Sequence, residues 1–203
     1  MVKRVAILMV GYGAVVAALS FVEPGLWQKL RLEDVEKFRA TDLHHVFRQA
    51  GNVVMWILIA LAIGITQWKQ RGARLTAWMI LVSPLLAGAL AELLKRLVGR
   101  ERPGTIDMTG AYTFKPFLAA FTDASNHGSN LGIPSSHAAV AFGGAFILLR
   151  LFPCAGWVAL VWAIGCGVTR IALGAHYVSD VVAGAALGQI AATILMPPEK
   201  ARR

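Results

Sequence analysis

Six apolar runs, separated by charged or turn-forming stretches, set the pattern of this chain. They are Val5 to Val22, Ala50 to Trp68, Leu75 to Leu94, Pro134 to Phe152, Pro153 to Leu173 and Tyr177 to Met196. A helix needs about 20 apolar residues to cross a hydrocarbon core of about 30 Å, and each run approaches that length. The pattern predicts an all-α integral membrane bundle: six transmembrane helices forming one domain over residues 1–203. Pro84 is tolerated inside the third span. The first run reads as a retained anchor, with a cleaved signal peptide as the alternative.

The connections are as informative as the spans. Glu23 to Arg48 mixes acids and bases with Leu26, Trp27, Leu30, Val35 and Phe38, a pattern suited to a helix lying in the interface between the first two spans. His44 and His45 read there as exposed residues without chemistry. Lys69 to Arg74 is a tight basic loop flanked by Trp68 and Trp78, where an aromatic belt would lie. Gly104 to Ile133 is the longest polar connection and carries Lys115, Asp123 and His127; its centre, Phe114 to Phe121, is suited to rest on the bilayer surface. Pro197 and Pro198 end the last span before the basic tail Lys200 to Arg203. Gly184 and Gly188 form a small-xxx-small pair for close helix packing.

Composition narrows the class. The chain is 57% hydrophobic with a mean hydropathy of +0.60, too apolar for an ordinary soluble domain. Its net charge of +9 does not mark a nucleic-acid binder, because the cations sit at the ends of hydrophobic runs rather than in one stripe. The short loop and both tails are basic, which places both termini in the cytoplasm. Cys154 and Cys166 fall on one helix about 18 Å apart, too far to bridge.

Chemistry gathers at the opposite membrane face. The third span ends in KRLVGRERP, with Lys95 and Arg102 seven apart. The fourth begins with PSSH, Pro134 to His137. Between the fifth and sixth lies RIALGAHYVSD, Arg170 to Asp180, in which Gly174 lets a helix stop and His176 and Asp180 stand four apart. A carboxylate one turn from an imidazole fixes its tautomer and leaves the other ring nitrogen free. Arg170 adds forked donors suited to a phosphate. Taken singly, Lys95 and Arg102 read as snorkelling helix-end cations and His137 as a helix-start residue. Six ionisable groups meeting at one depth are instead candidates for function.

Lys95…Arg102-Pro103, PSSH at 134–137 and Arg170…His176…Asp180 together resemble the three-part signature of the type-2 phosphatidic acid phosphatase superfamily. Two positions depart from its usual pattern: Ser136 replaces a glycine, and Thr169 stands where a serine often precedes the arginine. The resemblance implies a phosphatase acting on a membrane lipid phosphate at the extracytoplasmic face, with no metal or other cofactor. It implies that His176 is the nucleophile, oriented by Asp180, and that His137 is the general acid and base. Lys95, Arg102, Ser135, Ser136 and Arg170 would hold the phosphate. Pro134 suits the first turn of the fourth helix, whose free N–H groups add to that cradle. The substrate class stays open among an isoprenoid pyrophosphate, phosphatidylglycerophosphate, phosphatidic acid and lipid A. A phosphotransferase using the same site is the alternative, and an anion transporter using the charges as a path is the non-enzymatic one.

Overall fold

The computed structural model describes residues 1–70, 72–103, 111–114 and 130–195. Arg71, Lys115, Asp123, His127, Pro197, Pro198 and the basic tail lie outside the described residues. Within them the chain is helical: α1 Val2–Ser20, α2 Glu23–Leu30, α3 Val35–Arg39, α4 Asp42–Gln49, α5 Val53–Thr66, α6 Ala73–Val98, α7 Ser136–Leu151, α8 Pro153–Ala172 and α9 Val178–Leu195. Four of these, α1, α6, α8 and α9, are each long and apolar enough to cross a bilayer; α4 and α5 pass the same test as a pair bent by 63°.

The fourth expected span, α7, is a shorter apolar helix of 16 residues. It lies inside the bundle. Nearly every position from Ala138 to Leu148 is buried, and α6, α8 and α9 surround it. A helix that is apolar on all sides is the centre of its bundle. Small residues let its neighbours approach. A Cβ on Gly188 would lie 2.5 Å from the Gly143 nitrogen, and one on Gly184 2.5 Å from the Ser135 carbonyl oxygen. The small-residue pair of the last span is thus the α7–α9 contact. Outside this core, α1 packs along α9, where the Tyr12 hydroxyl donates to Gln189 Oε1 at 2.6 Å, and α5 packs on α6.

The stretch Glu23 to Arg48 departs from the single interfacial helix expected. It breaks into α2, α3 and α4 because polar side chains cap new starts: Asp34 accepts from the Lys37 N–H at 3.0 Å and Thr41 from the His44 N–H at 3.3 Å. The segment is tied to the end of the bundle at the C-terminus of α8. The Leu32 N–H donates to the Ala172 carbonyl at 2.8 Å, and the buried Trp27 donates its indole N–H to the Gly174 carbonyl at 3.3 Å. His44, expected to be exposed, is buried against Phe38 and α8; His45 is exposed.

Candidate active site

The site is assembled at the end of the bundle where α6 and α8 finish and α7 and α9 begin. Gly174, with φ +66°, ends the turn after α8, and the chain re-enters a helix at Val178. His176 therefore stands just before α9 and Asp180 in its first turn. Their side chains meet, with His176 Nδ1 3.2 Å from Asp180 Oδ2. Both are sealed from solvent, at 1% and 0% exposure. The same Oδ2 accepts the Tyr177 N–H at 2.9 Å, so the carboxylate is fixed by its own helix start. Burial pushes the His176 imidazole down to about 4, with Asp180 opposing and Arg170 and Arg102 assisting. At neutral pH the ring is uncharged.

Asp180 has a second partner in Arg100. Arg100 donates to Asp180 Oδ1 and, at 2.6 Å, to the Ser179 hydroxyl. Its guanidinium lies over Tyr112 and Tyr177, 4.8 and 5.1 Å from the ring centroids. Glu23 closes the chain: it is 1% exposed, accepts the Ser179 N–H and the Tyr112 hydroxyl (2.7 Å), and stands 4.0 Å from Arg100. Two carboxylates and one guanidinium are thus buried together, each with hydrogen-bond partners, the condition for tolerating charge away from water.

The cations of the signature surround this pair. Lys95, in the last turn of α6, pairs with Glu92 at 3.0 Å and donates to the Ser136 hydroxyl, which also contacts Glu92. The serine that stands in the usual glycine position therefore ties Lys95 to its counter-ion. Arg102 donates from Nε to the Leu131 carbonyl at 3.4 Å and lies in the fields of Asp180 and Glu92. Arg170, in the last turn of α8, has a buried Nε with no partner among the described residues. Thr169, the second departure from the usual pattern, turns its hydroxyl to the Cys166 carbonyl at 2.8 Å.

The start of α7 completes the arrangement. Ser135 is its N-cap, buried, with its hydroxyl accepting the Ala138 N–H at 3.5 Å and its own N–H donating to the Asp180 carbonyl at 2.9 Å. Pro134 lies one residue before the cap rather than in the first turn, in a cis peptide with Ile133. His137 is half-buried on that first turn, in the electrostatic reach of His176, Arg170, Arg48 and Lys95. Lys95, Arg102, Ser135, Ser136, His137, Arg170, His176 and Asp180 thus come together. Glu23, Arg100 and Arg48 join them without a signal in the sequence: their links span loops, and no local spacing marks them.

A neutral histidine held by a buried aspartate and ringed by arginines is built to receive an anion, and it sits at one end of a multi-pass membrane bundle. The chain belongs to the PAP2 superfamily, whose pattern matches residues 76–202. It is 42% identical over 106 residues to the lipid A 1-phosphatase of Rhizobium etli, a match covering 51% of this chain and 42% of that protein. The chain spans about two fifths of the length of the lipid A 1-phosphatases it matches. It is 33% identical over 140 residues to the decaprenylphosphoryl-5-phosphoribose phosphatase of Mycobacterium tuberculosis, covering 69% of each protein. Its fold is similar to the crystal structure of a transmembrane PAP2-type phosphatidylglycerolphosphate phosphatase from Bacillus subtilis. That match has a TM-score of 0.60 and 16% identity, over 94% of this chain and 93% of the other.

Proposed function

We propose that this protein, a single transmembrane domain, is a metal-independent phosphatase of membrane lipid phosphates that works through a phosphohistidine intermediate. The reading is carried by the buried His176–Asp180 pair facing Arg102 and Arg170. Asp180 holds Nδ1, so the other ring nitrogen of neutral His176 attacks phosphorus. The P–N bond forms as the bond to the lipid oxygen breaks, and His137 gives its proton to that oxygen. The dianionic phosphate itself favours the protonated His137 in the complex. A water then gives its proton back to His137 and displaces His176 as inorganic phosphate leaves. Lys95, Arg102 and Arg170, with Ser136 and the first N–H groups of α7, balance the charge on the phosphoryl oxygens that a metal ion balances elsewhere.

The site faces the extracytoplasmic side, since Lys3, Arg4, Lys69, Arg74 and Arg150 gather at the other end of the bundle. The test is phosphate release from a panel of lipid phosphates in detergent. His176→Ala should lose at least about a thousandfold in kcat while eluting as the folded wild type does. Release should persist in excess chelator and stop with vanadate. Wild-type turnover by the folded His176→Ala protein would overturn the mechanism.

A further inference from the structure

Beside His137 lies a pocket of about 390 Å³ that the proposed chemistry at His176 leaves unused. Its walls are Arg48, Gln49, Gly51, Asn52 and Val53, the corner between α4 and α5, together with His137 itself. The corner is pressed against the site: a Cβ on Gly51 would lie 2.8 Å from His137 Cβ and 2.9 Å from its carbonyl oxygen, so only glycine fits there. Asn52 organises the wall, accepting the Val54 N–H at 3.0 Å and donating to Gln49 Oε1 at 3.1 Å, which leaves the Gln49 amide N–H groups as donors. Arg48 is exposed in the last turn of α4 and makes no ion pair among the described residues. Its charge reaches both His137 and Arg170.

Position gives this pocket a task. In phosphoryl transfer the attacking and leaving atoms lie roughly in line. With His176 attacking and His137 protonating the leaving oxygen, the leaving group departs on the His137 side, away from His176. His137 lines the pocket and His176 does not. A cation there has no use for a neutral lipid alcohol. It suits a leaving group that carries its own phosphate.

We propose that the α4–α5 corner is a leaving-group subsite in which Arg48 holds a second anionic phosphate, so that the preferred substrates are lipid pyrophosphates over monophosphates of neutral lipid alcohols. The inference rests on the phosphatase reading above, and its test separates the two. The measured quantity is the ratio of kcat/KM for a polyprenyl pyrophosphate to that for phosphatidic acid, with the full chain in detergent. The wild type should favour the pyrophosphate at least about tenfold. Arg48→Gln should lower that ratio roughly tenfold to a hundredfold, the worth of one charge-assisted bond, and Arg48→Lys should recover part of it. A wild-type ratio near one, or a ratio that Arg48→Gln does not move, overturns the subsite. A second measurement needs neither a variant nor turnover. In calorimetry, methylenediphosphonate should bind the wild type at least about tenfold tighter than methylphosphonate, and equal affinity would also overturn the subsite. A wild type that prefers the diphosphonate but releases no phosphate from any lipid would instead sink the phosphatase reading alone.

Discussion

Asp180 divides its two oxygens between His176 and Arg100, and this division sets how the histidine titrates. Arg100 acts on the reaction only through Asp180, so it is a positioning residue. Removing its charge leaves the Asp180 carboxylate without that counter-charge, which favours the protonated imidazole and raises the His176 pKa. Arg100→Met should therefore lower kcat about ten- to a hundredfold. It should also move the acid limb of the kcat/KM profile to higher pH, with Arg100→Lys restoring the limb. A profile merely scaled down, with its limb in place, would assign Arg100 to the scaffold. Stability follows the same titration. The folded state holds His176 near 4 while the unfolded chain protonates it near 6.5, so the unfolded state binds more protons between those values. This contribution is present above about pH 6.5 and is lost as pH falls towards 4. The thermal midpoint in detergent should drop across that window, and His176→Gln should make the drop smaller. The His176–Asp180 pair was legible because its partners stand four apart, within one helical turn. Arg100 meets Asp180 across 80 positions and Glu23 meets Ser179 across 156, and no local spacing announces contacts of that range.

At the level of elements, periodicity and length located every long helix to within a few residues, since apolar runs and glycine or proline punctuation are local signals. Two things were not local. The burial of α7 on nearly every side comes from α6, α8 and α9, and the docking of residues 23–48 on the end of α8 comes from contacts such as that of the Leu32 N–H with the Ala172 carbonyl. The α7–α9 contact offers a direct test. At Gly188 an added methyl meets the backbone of Gly143 and Phe142 at 2.5 and 2.7 Å, and backbone has no rotamer in which to retreat. Gly188→Ala should cost about 1–3 kcal/mol, read as a lowered thermal midpoint in detergent. Gly13→Ala, with nothing within 4 Å of the new carbon, should leave the midpoint level or slightly raised. An unchanged midpoint for Gly188→Ala would mean that α7 and α9 are not in contact as described.

For the molecule as a whole, the two ends of the bundle carry different charge chemistry, and this makes the proposed sidedness testable. At one end the α1 C-terminus leads to buried Glu23, α6 ends beside Lys95, and α9 begins at the His176 turn. At the other, Arg4, Arg150 and Gln189 line a shared pocket of about 250 Å³, and α5 and α6 are joined through Lys69 and Arg74. The second end carries dense cations in short connections, and in the orientation proposed above it faces the cytoplasm. Three positions report on it. Glu33 and Lys3 are exposed at the site end and the far end, and Cys154 is exposed at the start of α8, on the far side. In intact cells a membrane-impermeant maleimide should label Glu33→Cys placed in a Cys154→Ser background. Lys3→Cys in that background, and Cys154 of the wild type, should react only after permeabilisation, while Cys166 is buried in all of them. The opposite pattern would put the His176 site on the cytoplasmic leaflet. The histidine chemistry would then stand, but the enzyme would draw its substrates from the other face of the bilayer.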